Sequence, residues 1–435
     1  MIKSNNYLKQ LTLALSFLTG TAFAQQTDFK FDFGSGKTAG GYQAVPATAA
    51  YSPQTGYGFD FGTSVTSVNR KGKNKLTGDF VTSDQPFYFS VKVPEGNYKV
   101  TLTFGDRQES TSTTVKAESR RLMLENLQTQ TGGFRTETII VHIKDRVIDG
   151  ERQVSLKQRE LTKLDWDDKL TLEFTGGTAL NAIEISKADD QITVFLAGNS
   201  TVVNQEEEPW ASWGQMIPCF FKPGVAIANH AESGLSLGSF IGSKRLEKIL
   251  RIIKPGDYVF VEFGHNDAKE KGPNDGPYKS YTDRLHFFAK EIKDKGATMV
   301  LLTPTARRSF NQEGDMTNSH GEYPAAARKV AAAENLALID LTSLTTTLYE
   351  TLGMEGSKNA FVIYPELNLN DNTHFNPYGA YQIARLVAQG IKDQKLPLAA
   401  LLHPMPNYLP TQPDSFENYN WPPSPKASAA KPDGN

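Results

Sequence analysis

Ser200, Asp371 and His374 are the residues whose types and spacing promise chemistry. A serine hydroxyl is a weak nucleophile until a neighbouring base takes its proton. A histidine serves as that base when a carboxylate fixes its tautomer and orientation. Ser200 lies in Gly198-Asn199-Ser200-Thr201, a cluster of small and polar turn residues that ends an apolar run. Asp371 and His374 are three residues apart, just ahead of Asn376-Pro377. From a turn before a helix, that spacing lets the carboxylate reach one ring nitrogen while the other faces the serine. Acyl transfer also needs fixed donors for the oxyanion that develops on the carbonyl. The Ser200 N–H, a backbone N–H at Gly234 and the side-chain amide of Asn266 are the candidates.

These residues are useful only if the fold gathers them. Five short runs rich in apolar and β-branched residues read as buried strands, at 192–197, 224–229, 257–263, 298–303 and 336–340. Helical patterns at 240–253, 281–293 and 323–334 lie between them. A last helix starts with Asn376 as its cap and Pro377 in its first turn, and runs to about 391. Strands alternating with helices predict a parallel sheet covered on both faces, which binds ligands beyond the carboxyl ends of its strands. Gly198-Asn199-Ser200, Gly234, Gly264-His265-Asn266-Asp267 and Arg307-Arg308 each follow a strand, so one edge can collect them. His265 reads as a brace for Asn266, and Trp210 and Trp213 as packing residues on one helix.

These blocks resemble the SGNH (GDSL-type) hydrolase superfamily. The fuller forms Ala197-Gly198-Asn199-Ser200-Thr201, Glu262-Phe263-Gly264-His265-Asn266-Asp267 and Asp371-Asn372-Thr373-His374-Phe375 look most like its rhamnogalacturonan acetylesterases, carbohydrate esterase family twelve. The resemblance covers about 192–391. It implies a three-layer α/β/α fold around a five-stranded parallel sheet, and removal of acetyl groups from plant pectin. It also implies Ser200 as nucleophile, His374 as base and Asp371 as orienter, with Ser200, Gly234 and Asn266 as the oxyanion hole; that constellation and the lack of metal ligands in the sequence predict catalysis without cofactor or metal. Arg307 or Arg308 is a candidate for meeting galacturonate carboxylates. The chain departs from the family where Asn199 stands in place of the usual aspartate. That aspartate is not the triad acid, so the departure touches the hydrogen bonds around the block.

The first part of the chain reads differently. Alternating runs at 29–33, 87–93, 98–104, 136–143, 170–174 and 181–186, with glycine-rich turns between them, predict an antiparallel β-sandwich. In architecture this resembles the galactose-binding-like jelly rolls attached to carbohydrate-active enzymes. Its role is either to bind sugar or to act as a spacer shaping one rim of the cleft.

The expected organisation is a signal peptide at 1–24, a sandwich at 27–188, a catalytic unit at 191–402 and a proline-rich tail at 403–435. The tail should be extended, partly ordered against the catalytic unit and disordered from about Ser428. Lys3 and Lys9, an apolar stretch and Ala22-Phe23-Ala24 make the leader, which implies export to the periplasm or beyond. A net charge of -2 over 435 residues argues against general nucleic-acid binding, and no later run is long enough to span a membrane. The single cysteine, Cys219, precludes an intrachain disulfide and reads as a core residue. The expected partner is an acetylated pectic polysaccharide.

Other readings remain open. The same machinery could deacetylate xylan or another glycan. A metal-dependent phosphoesterase would need further His and Asp ligands on the first strands, where Asn199 and Ser200 stand. A non-catalytic glycan binder would have no use for the intact Ser, Asp and His.

Overall fold

In the catalytic unit, alternation along each strand decides the layers. In the first strand, β1 (Ile192–Gly198), Val194 and Leu196 point to one face, and Phe195 and Ala197 to the other. The partners are β2 (Val225–Asn229), β3 (Tyr258–Glu262), β4 (Thr298–Leu302) and β5 (Ala337–Ile339). They form one five-stranded parallel sheet in the order β2-β1-β3-β4-β5. This is a computed structural model, and it describes residues 26–433. The proposed leader at 1–24 lies outside the described residues.

Helices cover both faces. Leu237, Phe240 and Ile249 from α1 (Leu237–Gly242) and α2 (Arg245–Ile252) pack on Phe195 and Val259. Leu285 and Phe288 from α3 (Thr282–Asp294), and Val330 from α4 (Tyr323–Ala333), share that layer. The opposite face carries α5 (Leu341–Gly356) and α6 (Pro377–Asp393), whose Leu348, Ile383 and Val387 meet Leu196, Phe260 and Val300. The single helix expected over 240–253 is two, because the chain turns at Ser243-Lys244 with Lys244 left-handed at φ 63°. A hairpin of β6 (Phe361–Tyr364) and β7 (Leu369–Phe375) precedes α6, whose Asn376 cap accepts the Gly379 N–H at 3.0 Å.

The N-terminal unit stacks two sheets. One has seven strands, with Gly96–Gly105 and Leu180–Lys187 near its centre. The other has five, with Phe87–Lys92 and Lys169–Phe174 inside. Phenylalanines fill the space between them. Phe89 takes Phe31 and Phe33 edge-on, with centroids at 5.2 and 5.0 Å. Such contacts are the favoured geometry for rings, whose edges are positive and faces negative.

Buried charges join the two units. Arg245 Nη2 of α2 donates to both oxygens of Glu160, at 2.6 and 2.7 Å, and both side chains are fully buried. Arg121 donates from Nη1 to the Ile227 carbonyl of β2 at 2.9 Å. Removing one partner of a buried ion pair typically costs about 3–5 kcal/mol, because the other charge is stranded without water.

The tail is placed further along than its composition suggested. Lys116 donates to the Pro422 carbonyl and to Ser424 Oγ, at 2.7 and 2.8 Å, beneath the Trp421 ring. Ser428, where disorder was expected to begin, donates its N–H to the Glu208 carbonyl and accepts from Trp210 Nε1, at 2.8 and 2.9 Å. The main chain then runs on across the carboxyl edge of the sheet. Among the described residues no helix is long and apolar enough to cross a membrane.

Candidate active site

β1 ends in a tight loop that its own side chains hold. Asn199 Oδ1 accepts the Thr201 N–H at 3.1 Å and Thr201 Oγ1 at 2.9 Å. Thr201 Oγ1 and Trp213 Nε1 in turn donate to Glu262 at the end of β3, at 2.9 and 2.5 Å. Burial pushes the Glu262 carboxyl up to about 7, against the pull of the bonds from Trp213, Thr305 and Thr201. Asparagine therefore does the turn-forming work at position 199, while its buried Nδ2 has no hydrogen-bond partner among the described residues. Ser200, 3% exposed, stands on this brace.

His374 and Asp371 come from β7, not from a simple turn ahead of α6. The hairpin register jumps from Ile363–Asn370 to Phe361–Phe375, so residues 371–374 bulge out of the ladder. Within the bulge, Asp371 Oδ1 accepts the N–H groups of Thr373 and His374, at 2.8 and 2.9 Å. Its Oδ2 meets His374 Nδ1 at 2.9 Å. Burial works against the Asp371 charge, but the His374 ring and these N–H groups hold its carboxyl well below the usual range. This is the geometry that fixes an imidazole with Nδ1 protonated and Nε2 as the base.

Trp210 links this histidine to the serine loop. Its ring stands edge-on to His374, with centroids 5.8 Å apart. The Ala211 N–H bonds the Phe375 carbonyl at 2.8 Å, and the Trp213 N–H bonds the Thr201 carbonyl at 3.2 Å. Trp210 precedes the short helix Trp213–Met216, so the two tryptophans do not share a helix as expected. Trp213 is in the core.

Two of the donor candidates, Gly234 and Asn266, come together. Gly234 follows β2 with φ +79°, a conformation that glycine adopts without strain. Gln205 Nε2 bridges the Ser200 carbonyl, at 3.0 Å, and Ser233 Oγ, at 3.5 Å. Asn266 Nδ2 donates to the Leu235 carbonyl at 3.0 Å, and its Oδ1 accepts from Lys269 at 3.4 Å. These bonds fix the amide and leave a second N–H on the nitrogen. Asp267 braces the loop from below by accepting the Gly264 and Leu237 N–H groups, at 2.9 and 3.0 Å. Gly234 and Asn266 line one cavity with Lys157 and Asp433.

His265 and His320 form a buried pair, Nδ1 to Nε2 at 3.1 Å, and Thr305 holds the other His265 nitrogen at 3.3 Å. Burial first, then His320 and Arg307, pushes the His265 ring well below the usual imidazole range, and burial and Arg307 push His320 down to about 3. Arg308 is engaged at the end of α5 by Ser357 Oγ, at 2.9 Å, and the Met354 carbonyl. Arg307 is half-buried near Asp371, with Nη1 at 3.5 Å from the Ser319 carbonyl. Cys219 is only partly buried, with its thiol on the Met216 carbonyl at 3.2 Å. Sequence reasoning missed Gln205, Glu232, Lys157 and Arg159, none of which lies in a motif. Among the described residues no group of three or more His, Cys, Asp and Glu side chains is arranged to hold a metal ion.

Residues 196–381 match the GDSL-like lipase/acylhydrolase family, and residues 29–149 match the β-agarase/YXIM esterase-like, galactose-binding domain-like family. The rhamnogalacturonan acetylesterase RhgT of Bacillus subtilis is 42% identical over 217 residues, 48% of this chain and 92% of its own length. The uncharacterised esterase YxiM of the same species is 28% identical over 402 residues, 89% of this chain and 97% of its own. The crystal structure of YxiM aligns with 85% of this chain and 99% of its own, at 28% identity and a TM-score of 0.46. With its catalytic sheet, and with that identity to RhgT over nearly all of the relative's length, the chain belongs to the GDSL-like lipase/acylhydrolase family and is a carboxylic ester hydrolase.

Proposed function

We propose that the protein removes acetyl groups from a plant cell-wall polysaccharide, and that acetylated rhamnogalacturonan is the substrate. Ser200 Oγ attacks the acetyl carbonyl while His374 Nε2 takes its proton. The oxyanion accepts hydrogen bonds from the Ser200 and Gly234 N–H groups and from Asn266 Nδ2. Collapse expels the sugar hydroxyl, which receives its proton from His374. Water then hydrolyses the acetyl-enzyme by the same route and releases acetate. Asp371 stays ionised throughout and stabilises the imidazolium. The observation that carries this reading is the buried 2.9 Å contact between His374 Nδ1 and Asp371, on a loop tied through Ala211 to the one bearing Ser200. The choice of polymer rests on the rhamnogalacturonan acetylesterases among the relatives. A basic, apolar leader at 1–24 fits export, which would bring the enzyme to such a polymer.

The test is acetate release by the mature protein from acetylated rhamnogalacturonan, acetylated homogalacturonan and acetylated xylan at matched acetyl content. The expected order has rhamnogalacturonan first, with kcat/KM at least about tenfold above xylan, a difference of roughly 1.4 kcal/mol in the transition state. Faster release from xylan would replace the pectic reading with that of an acetylxylan esterase.

A further inference from the structure

The cavity beside the oxyanion loop already holds a carboxylate, and it belongs to the chain itself. Asp433 Oδ2 lies 2.8 Å from Arg159 Nη1 and 3.1 Å from Lys157 Nζ. Both cations come from the short 3-10 segment around Gln158–Thr162, in the long connection between the sandwich strands Phe134–Ile143 and Lys169–Phe174. Their positions are fixed from the catalytic side. Arg159 Nε donates to the buried Glu232 at 2.9 Å, and its Nη2 donates to the Ser233 carbonyl at 2.9 Å. Lys157 Nζ donates to the same carbonyl at 2.6 Å. Glu232 hangs from the end of β1, its N–H on the Gly198 carbonyl at 3.3 Å. With those bonds made, Arg159 Nη1 and the lysine ammonium still point donors at Asp433.

The place is next to the reacting centre. Ser233 and Gly234 are consecutive, and a Cβ on Gly234 would meet Asp433 Cβ at 2.9 Å and Lys157 Nζ at 3.1 Å. We propose that Lys157 and Arg159 form a carboxylate subsite for a uronate residue neighbouring the acetylated sugar, and that Asp433 occupies it in place of substrate. The proposal rests on the acetylesterase reading for the identity of the polymer. It gives the chain a reason to prefer galacturonate-containing polymers over neutral xylan. It also makes the N-terminal half part of the substrate site. Charge-assisted bonds from a guanidinium and an ammonium are strong ones, and a neutral ester in the carboxylate's place cannot attract them equally.

The experiment uses trigalacturonate without acetyl groups as a competitive inhibitor of 4-nitrophenyl acetate hydrolysis by the full chain. Its methyl ester is the neutral control. The acid should inhibit roughly ten- to a hundredfold more tightly than the ester, the range for a hydrogen bond to a charged group. Lys157→Met and Arg159→Gln should each raise the inhibition constant of the acid by about tenfold, with Lys157→Arg close to wild type. Asp433→Asn should lower it, because the internal competitor loses its charge. Equal inhibition by acid and ester, no inhibition by the acid, or inhibition constants unmoved in Lys157→Met and Arg159→Gln would overturn the subsite. If inhibition behaves as expected but no acetylated pectin is deacetylated, the subsite stands and the proposed substrate falls. If pectin is deacetylated but the inhibition constants do not move, the reverse holds.

Discussion

Ser200→Ala and His374→Ala should each lower kcat on a small acetyl ester by roughly 10⁴- to 10⁶-fold. Ser200→Ala removes one hydroxyl from a loop whose bonds are made by Asn199, Thr201 and Gln205, so the thermal midpoint should stay near wild type. His374→Ala also removes the ring beside Trp210, so a loss of a few degrees is expected there, far too little to explain the activity. The double variant should be hardly worse than either single one, because a nucleophile without its base, or a base without its nucleophile, is already disabled. Initial rates on 4-nitrophenyl acetate, with melting curves for each variant, check this. Losses that multiply in the double variant would mean that the two residues act independently.

Asn266→Ala should lower kcat by about 10²- to 10³-fold, roughly 3–4 kcal/mol, with KM changed much less. The asymmetry follows from when the bond is made. The Asn266 amide is aimed by the Leu235 carbonyl and Lys269, and in the proposed mechanism its remaining N–H meets an oxygen that is fully anionic only in the transition state. The loop does not depend on it for support, since Asp267 separately ties Gly264 to Leu237. Asn266→Asp should be at least as damaging, because a carboxylate has no N–H to offer and repels the oxyanion. Steady-state kcat and KM beside melting curves decide the matter. Activity falling only in step with stability would leave Asn266 as a brace.

The catalytic unit was legible because its signals are local. Buried parallel strands read as short apolar runs, each is followed by its own polar block, and the fold puts all such blocks on one edge. What was not legible depends on contacts across the chain. Thr111–Ala117 and Arg121–Thr129 are strands whose polar sequences hide them, and Lys116 and Arg121 are buried only because the tail and β2 cover them. Helix α5 begins with a run of threonines, yet the Asp340 cap and the stripe of Leu341, Leu344, Leu348 and Leu352 make it helical. The bulge that seats Asp371 and His374 needs the β6 partner, which no feature of residues 371–374 announces. Lys157 and Arg159 lie in no motif, and only the folded chain brings them to Gly234.

The most direct measurement is the site of covalent modification by a serine-directed organophosphate, read by mass spectrometry of the digested protein. One phosphoryl group should appear on the peptide carrying Ser200, in step with the loss of esterase activity, and the His374→Ala variant should take up the label far more slowly. Full activity after prolonged exposure, or a label on Ser233 or another residue that accounts for the inactivation while Ser200 stays unmodified, would contradict the assignment of Ser200 as the nucleophile.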